Sequence, residues 1–346
     1  MHSDAGYTPL VSIITPTFQH EHFIESCLRS VQAQQYDCWE LIVVDDASTD
    51  RTTEIVESYA QRDSRIRLMR HEANYGVSRL SDTYNEALAQ CRGELIAVLE
   101  GDDEWMPNKL FTQVPVFRDP RVVLCYADYD QITADGVLIV RHRERDAIGA
   151  GRSSPRQNLN YFSMLKSFGS DTVIVRRTEL LASGGFLSAG LPLVDYPTWL
   201  RLAAKGDFVR IPTVLGIWRR HPASVYYAWE YAIMERLEQH FLEYLQLERK
   251  TLMALGLTTT DLDTLAANAA RAVHQKHRSR HYYEGKYHLL FGRRAKAIGP
   301  FGRAIVSPGT PLRHRLGAIA GMVAAATSRQ VVVFLGRITR RDTAAR

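Results

Sequence analysis

Residues Glu94–Leu110 read ELIAVLEGDDEWMPNKL and join an apolar run directly to an acidic group. The run Leu95–Leu99 is short and is closed by Glu100–Asp103, a pattern typical of a buried strand that ends at a binding site. Three carboxylates so close together repel one another, so a fold tolerates them best where a cation lies between them. An acidic surface turn is the alternative interpretation. Pro107 is expected in the first turn of a following helix.

Strands and helices alternate through the first half of the chain. Runs rich in β-branched residues predict strands at Val11–Thr15, Leu41–Val44 and Ile66–Met69. Apolar residues at helical spacing predict helices at His20–Gln34 and Thr52–Arg62. This alternation indicates an α/β fold with a mostly parallel central sheet flanked by helices.

A second acidic group follows the strand Leu41–Val44, where residues 45–50 read DDASTD. Ligands of parallel α/β sheets bind beyond the carboxyl ends of the strands. Because parallel strands end at the same edge, the groups DDASTD and EGDD are expected to face one crevice. Core packing gives no reason for this arrangement, whereas a bound cation with a hydroxyl-rich ligand does.

The second half begins with a strand predicted at Val122–Tyr126. A hairpin is predicted over Ile132–Val140, and the polar segment Arg141–Asn160 is expected to be a mobile loop over the site. Asp195 lies just upstream of a helix that is expected to begin at Pro197. Further strands are predicted at Asp171–Val175, Phe208–Ile211 and Val214–Trp218.

The composition is that of an ordinary soluble globular protein. The chain has 346 residues, of which 45% are hydrophobic and 23% are charged, enough for one large domain and a smaller one. Its four cysteines show no CxxC spacing, which favours free thiols in a reducing compartment over disulfides or a zinc site. The first ten residues lack the apolar segment of a secretory signal. We therefore expect a cytoplasmic protein.

From about Tyr226 the pattern becomes helical and strand signals are absent. The formal net charge is +5, and much of the basic excess lies from His274 onward. The segment Leu316–Gly336 is the most apolar, but Ser328–Gln330 interrupt it, so a spanning helix is not expected. A basic helix on an anionic membrane surface is one interpretation, and a solvated face is the other. Nucleic acid is not an expected partner, because no aromatic-basic stacking motif occurs.

Six motifs occur in an order and spacing that resemble family 2 glycosyltransferases with the GT-A fold. They are VSIITPTF, LIVVDDASTD, the Asn74-x-Gly76-x-Ser78 loop, RGELIAVLEGDDEWMPNKL, GGF and VDYPTWLRLA. The resemblance covers roughly residues 8–225. It implies a Rossmann-like GT-A domain over residues 1–225, followed by an α-helical C-terminal region over residues 226–346.

The resemblance also implies a nucleotide-binding role for residues at the first strand ends. Asp45 corresponds to the acid that hydrogen-bonds the nucleobase. The wall of the nucleotide pocket corresponds to Thr15, Pro16 and Thr17. The further expected nucleotide contacts are Asp46, Asn74, Arg79 and Asp102.

The catalytic assignments follow from the same resemblance. Asp102 and Asp103 resemble the DxD-type acids that hold the ribose, the diphosphate and Mn²⁺ or Mg²⁺, and His221 stands where some members contact the metal or diphosphate. Asp195 stands where the general base is expected, and would take the proton from an acceptor hydroxyl. The implied reaction is inverting transfer from a UDP-sugar to a glycan or lipid-linked saccharide, at the inner face of the cell membrane.

Two positions depart from the family's pattern. Glu100 stands where Asp is common, and Val194 replaces the Glu that usually precedes the base. The second departure removes a charge beside Asp195 and leaves open a catalytically inactive scaffold that binds nucleotide-sugars. A nucleotidyltransferase is a further alternative, but TPTFQHEHF lacks the Gly-rich phosphate loop of that class.

Overall fold

The computed structural model describes residues 6–142, 151–221, 233–290 and 292–326. Within these residues the strands are β1 (Val11–Thr17), β2 (Trp39–Asp45), β3 (Ile66–Arg70), β4 (Leu95–Val98), β5 (Glu104–Trp105), β6 (Val122–Thr133), β7 (Leu138–His142), β8 (Gly151–Ser153), β9 (Ile174–Arg176) and β10 (Asp207–Arg220). They form one sheet in the order β3-β2-β1-β4-β9-β6-β10-β5, with β7 beside β6 and β8 beside β10. The predicted α/β fold is confirmed.

Helices cover both faces of the sheet. In the same part of the chain they are α1 (Ile24–Gln32), α2 (Thr52–Ala60), α3 (Leu80–Gln90), α4 (Lys109–Gln113), α5 (Pro155–Ser163), α6 (Arg177–Ala182), α7 (Asp195–Leu202), α8 (Met234–Leu247), α9 (Arg249–Ala254), α10 (Thr259–Leu290), α11 (Arg294–Val306) and α12 (Leu312–Ala326). Alternate residues of one strand enter different cores: Ile13 belongs to the core that includes α1 and α2, and Ile14 belongs to the core that includes α3 and α7. This alternation explains why the strands read as continuous apolar runs.

The strand pairing brings the two acidic groups to one edge, as predicted. β1 pairs in parallel with β2 on one side and with β4 on the other. The residues that follow β2 and β4 therefore flank the carboxyl end of β1. Beyond β4 the sheet is mixed, because β9 pairs antiparallel with both β4 and β6.

Several predicted boundaries in the second half are wrong. The segments Phe208–Ile211 and Val214–Trp218 belong to the single strand β10, whose register against β6 shifts between them. In the expected loop Arg141–Asn160, residues 151–153 form β8, and α5 begins behind a capping box of Ser154 and Gln157. That polar cap is a helix signal that the composition of the segment concealed. Residues 143–150 lie outside the described residues.

Two predicted helix starts also shift by two residues. The helix after the acidic group begins at Lys109 behind Asn108, so Pro107 precedes it. The helix expected at Pro197 begins instead at Asp195.

The C-terminal helices pack in two places. Leu237 and Phe241 of α8 and Leu265 of α10 join the core that contains α3, α5 and α7. A separate core around Tyr282 and Phe301 joins the end of α10 to α11 and α12. None of the helices in the described ranges is both long and apolar enough to cross a membrane. Residues 222–232, which contain the predicted domain boundary, lie outside the described residues.

Candidate active site

A cavity of about 620 Å³ lies at the carboxyl edge of the sheet. The predicted site residues that line it are Pro16, Thr17, Asp46, Asn74, Asp102, Asp103, Asp195 and His221. Three other predicted site residues, Thr15, Asp45 and Arg79, are not part of its lining. The fold therefore gathers most of the predicted site residues around one space.

The end of β1 holds both acidic loops through backbone hydrogen bonds. The Asp46 N–H donates to the Thr17 carbonyl at 2.9 Å, and the Gly101 N–H donates to the Pro16 carbonyl at 3.0 Å. The two loops are thus attached to adjacent residues of one strand. This attachment fixes the spacing between the two acidic groups.

Asp45 and Asp46 have different surroundings although they are adjacent. Asp45 is fully buried; its carboxylate accepts hydrogen bonds from the Ser48 N–H at 3.1 Å and from the Thr53 hydroxyl of α2. The Asp46 carboxylate lines the cavity and accepts from the backbone N–H groups of Tyr75 and Gly76 at 2.8 and 2.9 Å. Asp45 therefore organises the turn behind the cavity wall, and Asp46 organises the wall itself.

An aromatic stack supports Asp46 from behind. His71 Nδ1 lies 2.7 Å from Asp46 Oδ1, and His71 Nε2 lies 3.1 Å from Glu86 Oε2. The Tyr75 ring stacks on His71 with centroids 3.9 Å apart, and the Arg79 guanidinium lies 3.5 Å from the Tyr75 centroid. Arg79 thus covers this stack instead of lining the cavity.

Asp102 lies beside two imidazoles. His221 Nε2 is 2.8 Å from Asp102 Oδ2, and one ligand atom from each of His20, Asp102 and His221 lies within 4.8 Å of the others. Burial opposes ionisation of Asp102, but the His221 hydrogen bond and the nearby imidazoles hold the pKa of its carboxyl below the usual value. A carboxylate and two imidazoles in one cluster can ligate a divalent cation.

Asp103 has a different environment from that of Asp102. Its Oδ1 accepts the Arg219 backbone N–H at 2.7 Å, and the Arg219 Nε donates to the Asp102 carbonyl at 3.0 Å. Burial, together with the Asp102 charge, raises the pKa of Asp103 well above its usual value. Asp103 therefore ties the acidic loop to β10, whereas His20, which the sequence analysis did not select, joins Asp102 and His221. The position of His20 just beyond β1, in TPTFQHEHF, is the signal that could have identified it.

Glu100 also faces the cavity. The Tyr84 hydroxyl donates to Glu100 Oε1 at 2.7 Å. Burial raises the pKa of Glu100 to about 7, and the nearby Asp102 carboxylate acts in the same direction. The longer side chain at this position thus reaches α3, where Tyr84 holds it.

Asp195 is the first residue of α7 and lines the cavity. Its Oδ2 accepts a hydrogen bond from the Ser167 hydroxyl at 3.0 Å. Burial raises the pKa of Asp195 above its usual value, although the Ser167 and backbone hydrogen bonds oppose the rise. A carboxylate with a raised pKa, held at a cavity wall, is suited to accept a proton.

The C-terminal helices supply one wall of the same cavity. Ile233, Met234 and Leu237 contribute apolar surface, and Lys276 of α10 contributes a cation. The Lys276 Nζ lies 4.3 Å from the centroid of the Tyr283 ring. The sequence analysis missed these residues because they belong to no local motif of the sheet domain.

Gly101 is required by the close approach of the acidic loop to β1. A Cβ at this position would lie 2.5 Å from Thr17 Oγ1 and 3.0 Å from His20 Nδ1. We expect Gly101→Ala to lower the free energy of unfolding by about 1–3 kcal/mol, because the loop must move away from β1. Chemical denaturation of Gly101→Ala and of the control Gly302→Ala measures this effect.

Gly302 is a suitable control because it lies within α11, where an added Cβ meets no atom within 4 Å. Gly302→Ala should leave stability unchanged or raise it by about 0.5–1 kcal/mol. A Gly101→Ala protein with the wild-type denaturation midpoint would contradict the predicted close packing.

Comparison with known proteins identifies the family. The model for glycosyl transferase family 2 matches residues 12–181. The chain is 30% identical over 204 residues to the putative teichuronic acid biosynthesis glycosyltransferase TuaG of Bacillus subtilis, a match that covers 58% of this chain and 75% of that protein. It is 32% identical over 204 residues to the UDP-Glc:alpha-D-GlcNAc-diphosphoundecaprenol beta-1,3-glucosyltransferase WfgD of Escherichia coli, a match that covers 58% of this chain and 73% of that protein.

The fold comparison extends over nearly the whole chain. The crystal structure of S. aureus TarS 1-349 in complex with UDP-GlcNAc superposes with a TM-score of 0.59 at 17% identity, covering 96% of this chain and 91% of that chain. This likeness supports the predicted GT-A fold with C-terminal helices. From the family model and its relatives, the chain belongs to glycosyl transferase family 2 and is a glycosyltransferase.

Proposed function

We propose that this glycosyltransferase moves a sugar from UDP to a hydroxyl of a lipid-linked saccharide, with inversion and with Asp195 as the general base. One observation carries the proposal: Asp46, Asp102 and Asp195 line the same cavity. In this proposal, the nucleobase-binding wall, the cation-binding group and the base all face one bound donor and acceptor. The similarity to WfgD supports the donor and acceptor classes, since WfgD is a UDP-Glc:alpha-D-GlcNAc-diphosphoundecaprenol glucosyltransferase.

Asp46 takes, in this proposal, the nucleobase role that the sequence analysis assigned to Asp45. Asp46 faces the cavity, whereas the Asp45 carboxylate is held by Ser48 and Thr53 behind it. Pro16 and Thr17 form the adjacent wall, and the Asn74 amide donates to Asp46 Oδ2 at 3.1 Å. A carboxylate fits the ring N–H of uracil, because it can only accept hydrogen bonds.

Nucleotide binding tests the proposal directly. We expect calorimetry with UDP, CDP, GDP and ADP, in the presence of Mn²⁺, to show that UDP binds most tightly. Asp46→Asn should weaken UDP binding by about tenfold or more, since a charged acceptor is lost. The control is Asp82→Asn, which alters an exposed carboxylate paired with Arg79. Failure of every nucleoside diphosphate to bind would contradict the proposed donor.

The residues His20, Asp102 and His221 are proposed to hold the divalent cation. Two imidazoles and a carboxylate fit Mn²⁺ better than Mg²⁺, which prefers oxygen ligands. Such a cation, when bound, neutralises the charge that develops on the departing diphosphate. His221 is held toward Asp102 by their hydrogen bond, so the cluster is already assembled. Asp103, which the sequence analysis placed among the metal-binding residues, supports this cluster in the proposal by accepting the Arg219 backbone N–H.

Asp195 is proposed to remove the proton from the acceptor hydroxyl. The Ser167 hydroxyl fixes Asp195 Oδ2 at 3.0 Å, and Asp195 lines the cavity in which the acceptor is proposed to bind. A single base acting on an acceptor that attacks opposite the departing diphosphate implies inversion at the anomeric carbon. The neighbouring Val194 leaves no second carboxylate directly before the base.

The acceptor is proposed to bind against the C-terminal helices, where the cavity wall combines Ile233, Met234 and Leu237 with Lys276. An apolar wall with one cation fits an acceptor that carries phosphate next to a lipid. This role gives the C-terminal region of residues 226–346 a part in the site of the GT-A domain of residues 1–225. It also fits a cytoplasmic enzyme that works at the inner face of the cell membrane.

We expect Lys276→Met to raise the KM for a diphosphate-linked acceptor by about tenfold or more, because one charge-assisted contact is lost. The kcat and the Kd for UDP should change little. Lys250→Met, which alters an exposed lysine of α9, is the matched control. Steady-state kinetics with the acceptor varied measures the effect. An unchanged acceptor KM combined with weaker UDP binding would place Lys276 on the donor.

A further inference from the structure

Helix α12 has an unusual distribution of apolar side chains. The residues that it buries are mostly small: Ala318, Gly321, Ala324 and Ala325, together with His314. The side chains that it exposes are large: Leu312 is 72% exposed, Leu316 54%, Ile319 47% and Val323 55%. A surface helix of a globular protein normally places its large apolar residues toward the core. The outer face of α12 therefore carries the large apolar side chains that a helix normally buries.

The exposed residues form one continuous stripe. The spacings from Leu312 to Leu316, Ile319 and Val323 follow the helical repeat, so the four side chains lie one above another. Arg313 and Arg315 fall on opposite flanks of this stripe, since each is one residue away from a stripe position. An apolar centre with basic flanks is the pattern of a helix that lies in a membrane interface.

The inner face of α12 keeps the helix firmly in place. The His314 ring stacks on Tyr282 with centroids 4.6 Å apart, and its Nδ1 lies 2.8 Å from the Ser279 hydroxyl. A Cβ at Gly321 would contact the Phe301 ring, so α12 and α11 are in close contact. The stripe therefore cannot turn inward without breaking this packing.

The charge of the surrounding sequence is of one sign. Between Gly285 and Arg341 the sequence contains eleven Lys and Arg residues and no Asp or Glu. The whole chain carries a formal net charge of only +5, so this segment is the source of the basic excess. Such a segment is attracted to anionic lipid headgroups.

We propose that the α12 stripe docks on an anionic lipid bilayer surface, with Leu312, Leu316 and Ile319 entering the headgroup region. This inference deepens the membrane location in the proposed function and rests on it. A second copy of the chain fits the stripe less well, because a symmetric interface would bring two basic segments together. Lipid phosphates provide the opposite charge.

Co-sedimentation of the full chain with vesicles tests the proposal. One set of vesicles consists of phosphatidylcholine with about 30% phosphatidylglycerol, which makes the surface anionic. The other set consists of pure phosphatidylcholine. We expect the wild-type chain to partition at least tenfold more strongly onto the anionic vesicles, and the preference to fall as salt is raised. The double substitution Leu316→Asp with Ile319→Asp should reduce partitioning onto the anionic vesicles by at least tenfold.

The matched control is Leu247→Asp with Met253→Asp, which changes two apolar residues that are 68% and 47% exposed elsewhere in the C-terminal region. This control should bind vesicles like the wild type. Circular dichroism and UDP calorimetry verify that each variant is folded. Equal vesicle binding by the stripe variant and the wild type would overturn the proposal. A wild-type dimer that the stripe substitutions convert to a monomer would also overturn it and assign the stripe to a subunit interface.

These experiments distinguish failure of the proposed UDP-binding site from failure of the proposed membrane-docking surface. Loss of UDP binding with intact vesicle binding would contradict the donor site alone. Intact UDP binding without vesicle binding would contradict the docking surface alone.

Discussion

Asp195→Asn is expected to reduce kcat by about 10²–10⁴-fold while the Kd for UDP stays close to that of the wild type. The amide has nearly the same shape as the carboxylate and can still accept the Ser167 hydroxyl hydrogen bond, but it cannot take a proton from the acceptor. Because α7 and Ser167 position the side chain in either case, the loss should appear in turnover and not in donor binding. Single-turnover transfer with saturating donor, together with UDP calorimetry, measures both quantities.

The pH dependence of kcat provides a second measurement of the same role. A general base must be ionised, and burial raises the pKa of Asp195 above its usual value. We therefore expect the rate to fall as the pH drops through this raised pKa, at a higher pH than an exposed aspartate would give. The residual activity of Asp195→Asn should lack that acidic limb.

Asp261→Asn is the control for a charge change in the first turn of a helix. Asp261 accepts the Thr258 N–H at 2.8 Å at the start of α10, outside the cavity lining. Its substitution should leave kcat and the pH profile unchanged.

Wild-type turnover by Asp195→Asn would contradict the assignment of the base. An Asp195→Asn protein that binds UDP and does not transfer sugar would contradict the inactive-scaffold alternative raised by Val194.

Asp102→Ala is expected to abolish the Mn²⁺-dependent part of UDP binding and to lower kcat by about 10²-fold or more. The substitution removes the only carboxylate of the group that also contains His20 and His221. Calorimetry of UDP with Mn²⁺ and with EDTA separates the metal-dependent component from the contacts of the nucleobase wall. Binding in EDTA should therefore be similar in the variant and the wild type.

A pair of nearby histidines tests the assignment of His20. His20→Ala should weaken Mn²⁺-dependent UDP binding by about tenfold or more, because an imidazole ligand is lost. His22→Ala is the matched control, since the His22 side chain is 81% exposed and pairs only loosely with Glu21 at 3.6 Å. Equal metal dependence in these two variants would remove His20 from the cation group. It would return the assignment to Asp102, Asp103 and His221.

Much of the architecture could be predicted because its signals are local. The strands that end in acidic groups are short apolar runs, and their parallel pairing follows from the alternation with helices. The β10 strand and α5 were harder to predict, because a register shift and a polar capping box resemble loop sequence. Which of Asp45 and Asp46 lines the cavity depended on the direction of the side chains at the end of β2. Asp45 continues the strand face of Leu41 and Val43, which packs on α2, so its carboxylate meets Thr53.

The sequence by itself determined the family, the sheet edge that carries the site and most of the acids that line it. These features could be predicted because they depend on neighbouring residues and on the periodicity of strands and helices, which can be read within a single segment of the sequence. Only the tertiary structure decided that His20 joins Asp102 and His221, that Arg79 covers Tyr75, and that Lys276 enters the cavity wall. The outer face of α12 likewise became visible only when its small residues were found packed inward. The contacts of His20, Lys276 and α12 join segments far apart in the chain, so no spacing within one segment encodes them. Arg79 and Tyr75 are close in the chain, but their loop is positioned by hydrogen bonds from the Tyr75 and Gly76 N–H groups to the distant Asp46 carboxylate.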